Sequence, residues 1–127
     1  MAESIMLGNI NTQPLEKEFG KLRTDEAIIT GERIEHIKLR HEQDYPFFEK
    51  YCVKTLEDPD IILKDEKNMR TVFMIKYLSE ININVVMRLA LSEDSEYLKN
   101  SVITFYRLRE KNLRKLEKRN KILYKRE

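Results

Sequence analysis

The hydrophobic period of the chain changes part-way along, and that change predicts its layout. Near the N-terminus, Leu15, Phe19 and Leu22 recur at i, i+4, i+7 and permit about two turns of helix around residues 14–23, punctuated by Pro14 and Gly20. Residues 1–25 otherwise show little periodicity and read as an N-terminal arm that packs late or is partly mobile. Ala27–Ile29 is a short apolar run, an edge strand leading into TGERIEHIKLRH. That stretch, Thr30–His41, reads as a helix with Thr30 as N-cap and acid in its first turn. Ile34, Ile37 and His41 share one stripe of it, and Arg33, His36 and Arg40 form the adjacent one. Pro46 suits the first turn of a second helix. Phe47, Phe48, Tyr51, Cys52, Thr55 and Leu56 then give a core-facing stripe through about residue 57, which the Asp58–Pro59 step terminates.

From there the period is close to two. Ile61–Asp65 reads as a short strand, Glu66–Arg70 as a polar turn and Thr71–Ser79 as a second strand. After a tight connection, Ile83, Val85, Met87, Leu89 and Leu91 alternate with Asn84, Val86, Arg88 and Ala90 in a third strand. Ser92–Asn100 is an acidic loop, and SVITFYR (Ser101–Arg107) is a fourth strand rich in β-branched and aromatic residues. Connections this short join antiparallel neighbours. The expected fold is therefore α+β, with two N-terminal helices packed on one face of a four-stranded antiparallel β-meander, followed by a basic C-terminal segment. Arg109–Arg119 reads as a short helix or a helical loop, and Ile122–Tyr124 as a closing strand or a segment that packs down.

Composition narrows the class. The chain has 127 residues, enough for one domain with a moderate core, and 36% of them are charged, so the surface is highly charged. One cysteine excludes an intrachain disulfide and fits a reducing compartment. Its place in the apolar stripe YCVKTL makes Cys52 a buried structural thiol rather than a nucleophile. No apolar run reaches the length of a membrane span and the N-terminus has no signal-like apolar region, so a soluble cytoplasmic protein without a membrane partner is expected. The net charge of +2 conceals an asymmetry: residues 1–106 carry 14 Lys/Arg against 19 Asp/Glu, and residues 107–127 carry 10 against 3. A polyanion would meet the C-terminal segment first.

Candidate chemistry centres on Thr30–His41, which holds both histidines of the chain, His36 and His41. Histidine titrates near neutral pH and is the usual general acid or base. Two histidines at i, i+5 do not share a helix face, and no third ligand lies at a metal-binding spacing, so no metal or other cofactor is expected. Glycine-rich phosphate loops and a G-x-S-x-G elbow are absent. Cleavage of RNA by its own 2′-hydroxyl needs only a base, an acid and donors around the phosphate. Those residue types occur in suitable places. Arg40 and His41 end the helix, Arg88 lies on the polar face of the third strand with Asn84, and Thr104 and Tyr106 share a face of the fourth. Ser101, three residues before Thr104, points to the opposite face unless a bulge intervenes.

The pieces GERIEHIKLRH, LEDPDIILKD, INVVMRLAL, NSVITFYRLREKNLRKL and KILYKRE, in that order, resemble the phage-associated nuclease domains of the barnase–EndoU–colicin–RelE superfamily. The resemblance covers about residues 27–127, giving an N-terminal arm at 1–25 and a single nuclease domain at 26–127. It matches the family's arginine–histidine pair to Arg40 and His41, and an earlier helical histidine to His36. The proline–aspartate entry to the sheet falls on Pro59 and Asp60. The late serine, threonine and aromatic residue fall on Ser101, Thr104 and Tyr106, and a terminal tyrosine–lysine on Tyr124 and Lys125. It implies a metal-independent endoribonuclease of a phage or mobile element, deployed like a toxin, with RNA as substrate and an immunity or antitoxin protein as a candidate partner. On that reading His41 or His36 is the base or acid, with the assignment open. Arg40 and Arg88 bind phosphate and Thr104 and Ser101 position it. Tyr106, Arg107, Arg109, Tyr124 and Lys125 contact substrate. The alternative is a non-catalytic module that uses the same basic end to hold nucleic acid or a protein.

Overall fold

Alternation along Thr71–Tyr77 and Asn82–Arg88 sorts their side chains onto two faces, and both faces are buried. In the computed structural model, which describes residues 3–127, these are the central strands of a seven-stranded sheet. The chain runs β1 (Ser4–Asn9), α1 (Gln13–Phe19), β2 (Glu26–Thr30), α2 (Gly31–Arg40), a 3-10 turn (Glu42–Asp44), α3 (Tyr45–Glu57), β3 (Ile61–Lys64), β4 (Thr71–Tyr77), β5 (Asn82–Arg88), β6 (Asn100–Leu108), α4 (Glu110–Arg119) and β7 (Ile122–Lys125). Strand order is β1-β2-β6-β5-β4-β3-β7, and every pairing is antiparallel except β2 with β6.

This overturns the expected four-stranded meander beneath two N-terminal helices. The strands β3 to β6 form only the middle of a mixed sheet, extended by β1 and β2 on one side and β7 on the other. β1 escapes a periodicity test because it is a partly solvated edge strand, with Ile5 48% and Met6 49% exposed, and its register slips between Met6 and Gly8. Gly8 takes φ +136° at that slip, a conformation that side chains disfavour. The fourth helix adds a layer that the expected layout lacks.

One apolar set joins Ile37 of α2 and Phe48, Cys52 and Leu56 of α3 to Val72, Met74, Ile83, Val85, Met87, Val102 and Phe105 of the sheet. On the other face Leu113 of α4 closes over Ile61, Leu63, Phe73, Ile75, Val86 and Leu108. A narrow Leu113–Leu116 stripe on an otherwise polar helix is thus enough to cover the second face. Local signals set the helix ends. The Thr30 hydroxyl accepts the Arg33 N–H at 3.3 Å, Pro46 sits in the first turn of α3, and α3 stops at Glu57, two residues before Pro59. Cys52 is buried, and burial pushes its thiol pKa up to about 12, so it is a structural side chain. Among the described residues no helix is long and apolar enough to cross a membrane.

Phe105 is fully buried and meets Phe48 edge-on, with ring centroids 5.5 Å apart. Phe105→Ala should therefore cost roughly 3–5 kcal/mol in urea unfolding; a loss below about 1 kcal/mol would show that this contact does not tie α3 to the sheet.

Candidate functional site

The site follows from how briefly β2 stays beside β6. Only Ala27–Asn100 and Ile28–Ser101 are paired; Ile29 and Thr30 pair with β1 alone, and α2 then begins at Gly31. The fully buried Asn100 side chain fixes that junction. Its amide donates to the carbonyls of Thr24 (2.8 Å) and Glu26 (2.9 Å), and its oxygen accepts the Ala90 N–H at 2.9 Å. Beyond Ser101 the edge of β6 has no strand partner, and α2 and the 3-10 turn pack beside it instead.

At the far end of that edge the helix stops and the histidines meet. His41 has left helical geometry (φ −132°, ψ 48°), so its ring does not follow the Ile34–Ile37 stripe. It stacks on Tyr106 of β6 with centroids 5.8 Å apart, and the His36 ring lies 6.1 Å away, edge-on. Both imidazoles are half-buried. Asp44 holds the lip: its Oδ1 accepts Arg107 Nε at 2.5 Å and its Oδ2 lies 3.7 Å from His41 Nδ1. The Arg107 guanidinium also lies over the Phe47 ring, 4.7 Å from its centroid. Arg40, His41, Glu42, Gln43, Asp44 and Arg107 line a shallow recess of about 390 Å³, two guanidinium groups beside two carboxylates.

Beneath Tyr106 the buried side of the sheet carries polar atoms with unusual accounting. The Tyr106 hydroxyl accepts a hydrogen bond from the Asn84 amide at 3.0 Å, and burial, partly offset by that bond, raises its pKa above the ordinary tyrosine value. Tyr106 therefore stays protonated through neutral pH. Asn84 Oδ1 and Thr104 Oγ1 are buried without a partner.

A bulge decides where the serine goes. Val86 pairs with Thr104 but Met87 pairs with Val102, leaving Ile103 as the extra residue, and Ser101 pairs with Arg88. The slip turns Ser101 and Thr104, three residues apart, to the same face of the sheet. Arg88 and Ser101 line a separate cleft of about 360 Å³ with Thr30, Arg33, Arg70 and Lys99. Arg88 lies four positions along β5 from Asn84, so this cleft lies about 13 Å along the sheet from the histidine lip.

The structure thus brings His36, His41, Arg40, Tyr106 and Arg107 together, with Thr104 two residues before Tyr106 on the same face of β6 and the Arg88–Ser101 pair further along the sheet. Arg109 caps the start of α4 and is exposed. Tyr124 and Lys125 lie on β7, four strands from β6, roughly 19 Å away. There Tyr124 packs against the core, and Lys125 pairs with Glu117 at 3.7 Å. Asp44 escaped sequence reading because its two partners are distant in sequence or outside helical register. No group of three or more His, Cys, Asp or Glu side chains able to hold a metal ion occurs among the described residues.

A family model matches residues 8–125: PBECR2, the phage-Barnase-EndoU-ColicinE5/D-RelE like nuclease2 family. The chain belongs to this family. The match takes in α1 and β2 through β7, and of β1 only its last two residues. No curated protein and no solved structure matches the chain.

The orphaned Thr104 hydroxyl generates a test. Thr104→Val keeps the shape and removes a buried group without a hydrogen bond, so it should raise unfolding stability by about 1 kcal/mol. A stability loss of that size would show instead that the hydroxyl has a partner such as an ordered water.

Proposed function

We propose that this nuclease is a metal-independent endoribonuclease that cleaves RNA through attack of the 2′-hydroxyl on the adjacent phosphate. One observation carries the reading: two imidazoles lie 6.1 Å apart, and the His41 ring lines a recess shared with the Arg40 and Arg107 guanidinium groups. Transfer of the 2′-proton to one ring and donation from the other to the departing 5′-oxygen require two such groups on either side of a phosphate. The charge that develops on the phosphate is met by Arg40 and Arg107, which line the recess with His41.

Each supporting side chain has a mechanical role. Tyr106 stacks under His41 and limits the tilt of its ring, and Asn84 in turn holds Tyr106 through its hydroxyl. Asp44 keeps Arg107 extended toward the lip and stands beside His41 as a counter-charge when the ring is protonated. Such a site needs no bound ion to activate a nucleophile, because the nucleophile is part of the substrate. The basic segment from Arg107, near the end of β6, to Arg126 adds long-range attraction for a polyanion.

With a labelled RNA and excess chelator, the wild-type protein should cleave, and His41→Ala should cleave roughly 10²–10⁴-fold more slowly. No cleavage by the wild type, or undiminished cleavage by the variant, sinks the assignment.

A further inference from the structure

The cleft beside Ser101 has cationic character that the histidine lip does not use. Four cations line it: Arg33 from the first turn of α2, Arg70 from the turn before β4, Arg88 from the end of β5 and Lys99 ahead of β6. Two are spoken for. Lys99 pairs with Glu26, and Arg70 pairs with Asp94 and, at 3.3 Å, with Glu93. Arg33 and Arg88 have no carboxylate within ion-pair distance among the described residues. Asp94, the one acid in the lining, is already engaged, with Oδ1 on Arg70 and Oδ2 accepting the Leu91 N–H at 2.7 Å. Between the cations the apolar lining comes from Leu98 and Ile103 above the buried Leu89, Ala90 and Val102, beside the hydroxyls of Thr30 and Ser101.

The cleft is built rather than accidental. Arg70 adopts φ +59°, a left-handed conformation uncommon for any residue but glycine and its polar relatives. Its carbonyl accepts the Leu89 N–H at 2.7 Å, and its guanidinium is fixed by Asp94. Asn100, anchored by three hydrogen bonds, fastens the lining to β2. A volume of about 360 Å³ suits a small ligand with one flat apolar part and one anionic part.

We infer that this cleft is a binding site for one nucleotide of single-stranded RNA away from the cleaved bond, with Arg33 and Arg88 on its phosphate and the apolar lining under its base. The choice of RNA rests on the function proposed above. Guanidinium groups pair with phosphate and also stack on bases, and the apolar lining excludes water from the base face. The lip lies about 13 Å along the sheet, a span that a few nucleotides of single strand cover. The α2 stripe Arg33–His36–Arg40 runs between the two places and gives the strand a continuous path.

The test is equilibrium binding of a fluorescent 2′-O-methylated RNA of about ten nucleotides, measured against salt concentration. The probe has no free 2′-hydroxyl, so its binding reports on the cleft whether or not the protein cleaves RNA. Arg33→Gln with Arg88→Gln should weaken binding at least tenfold and lower the log–log salt slope by about 0.7, the value for one single-strand phosphate contact. Arg33→Lys with Arg88→Lys, which keeps both charges, should restore most of the slope. A double Gln variant that is folded by circular dichroism and keeps the wild-type slope overturns the inference. So does a wild-type protein that leaves the probe unbound at low salt, which would assign these cations to an acidic protein partner.

Discussion

The two-residue parallel pairing of β2 with β6, fixed by Asn100, is the constraint on which this molecule depends. Had β2 continued alongside β6, a strand would occupy the edge of Ile103–Leu108, and neither the histidine lip nor the arginine cleft would exist. Because it stops, the chain turns into α2 at Thr30 and lays a helix where a strand would be. The helix presents Arg33, His36 and Arg40 along the open edge, and the break at His41 sets the second imidazole on Tyr106. The pairing is costly to arrange, since parallel neighbours must be brought together from far apart in sequence, and a fully buried asparagine with all its contacts satisfied is a strong way to hold it.

Burial of both faces gives the edge its rigidity. α3 presses Phe48 onto Phe105 from one side and α4 presses Leu113 onto Leu108 and Val86 from the other. The bulge at Ile103 is possible because this edge is unpaired, and it turns Ser101 and Thr104 to one face. The two buried polar atoms without partners, on Asn84 and Thr104, lie in the same region. Polar groups tolerated there at a cost in stability are common where a structure gives up stability for function.

Elements governed by local chemistry were legible in the sequence. Thr30 caps α2, Pro46 and Pro59 bracket α3, and the alternation of Val72–Ile75 and Ile83–Met87 marks buried strands. Elements governed by distant partners were not. β1 is half-solvated and slips at Gly8, the pairing of β2 with β6 joins residues more than seventy apart, and α4 shows only two leucines to the second face. The same division applies to the site. Arg40 and His41 were visible because both histidines fall in one amphipathic stretch, and Arg107 and Tyr106 because they share a strand. Asp44, and the joining of Arg33 and Arg70 to Arg88, depend on tertiary placement alone. Tyr124 and Lys125 sit on the opposite edge, far from either cleft, because β7 pairs with β3.

The central claim is that this nuclease uses the substrate's own hydroxyl at the histidine lip. A single 2′-deoxynucleotide placed 5′ to a mapped cleavage site measures it most directly. The account predicts that cleavage at that bond disappears while neighbouring bonds are still cut, and that the all-RNA product ends in a 2′,3′-cyclic phosphate. Continued cleavage at the deoxy position, with a 3′-hydroxyl on the product, would show that water attacks instead and would contradict it.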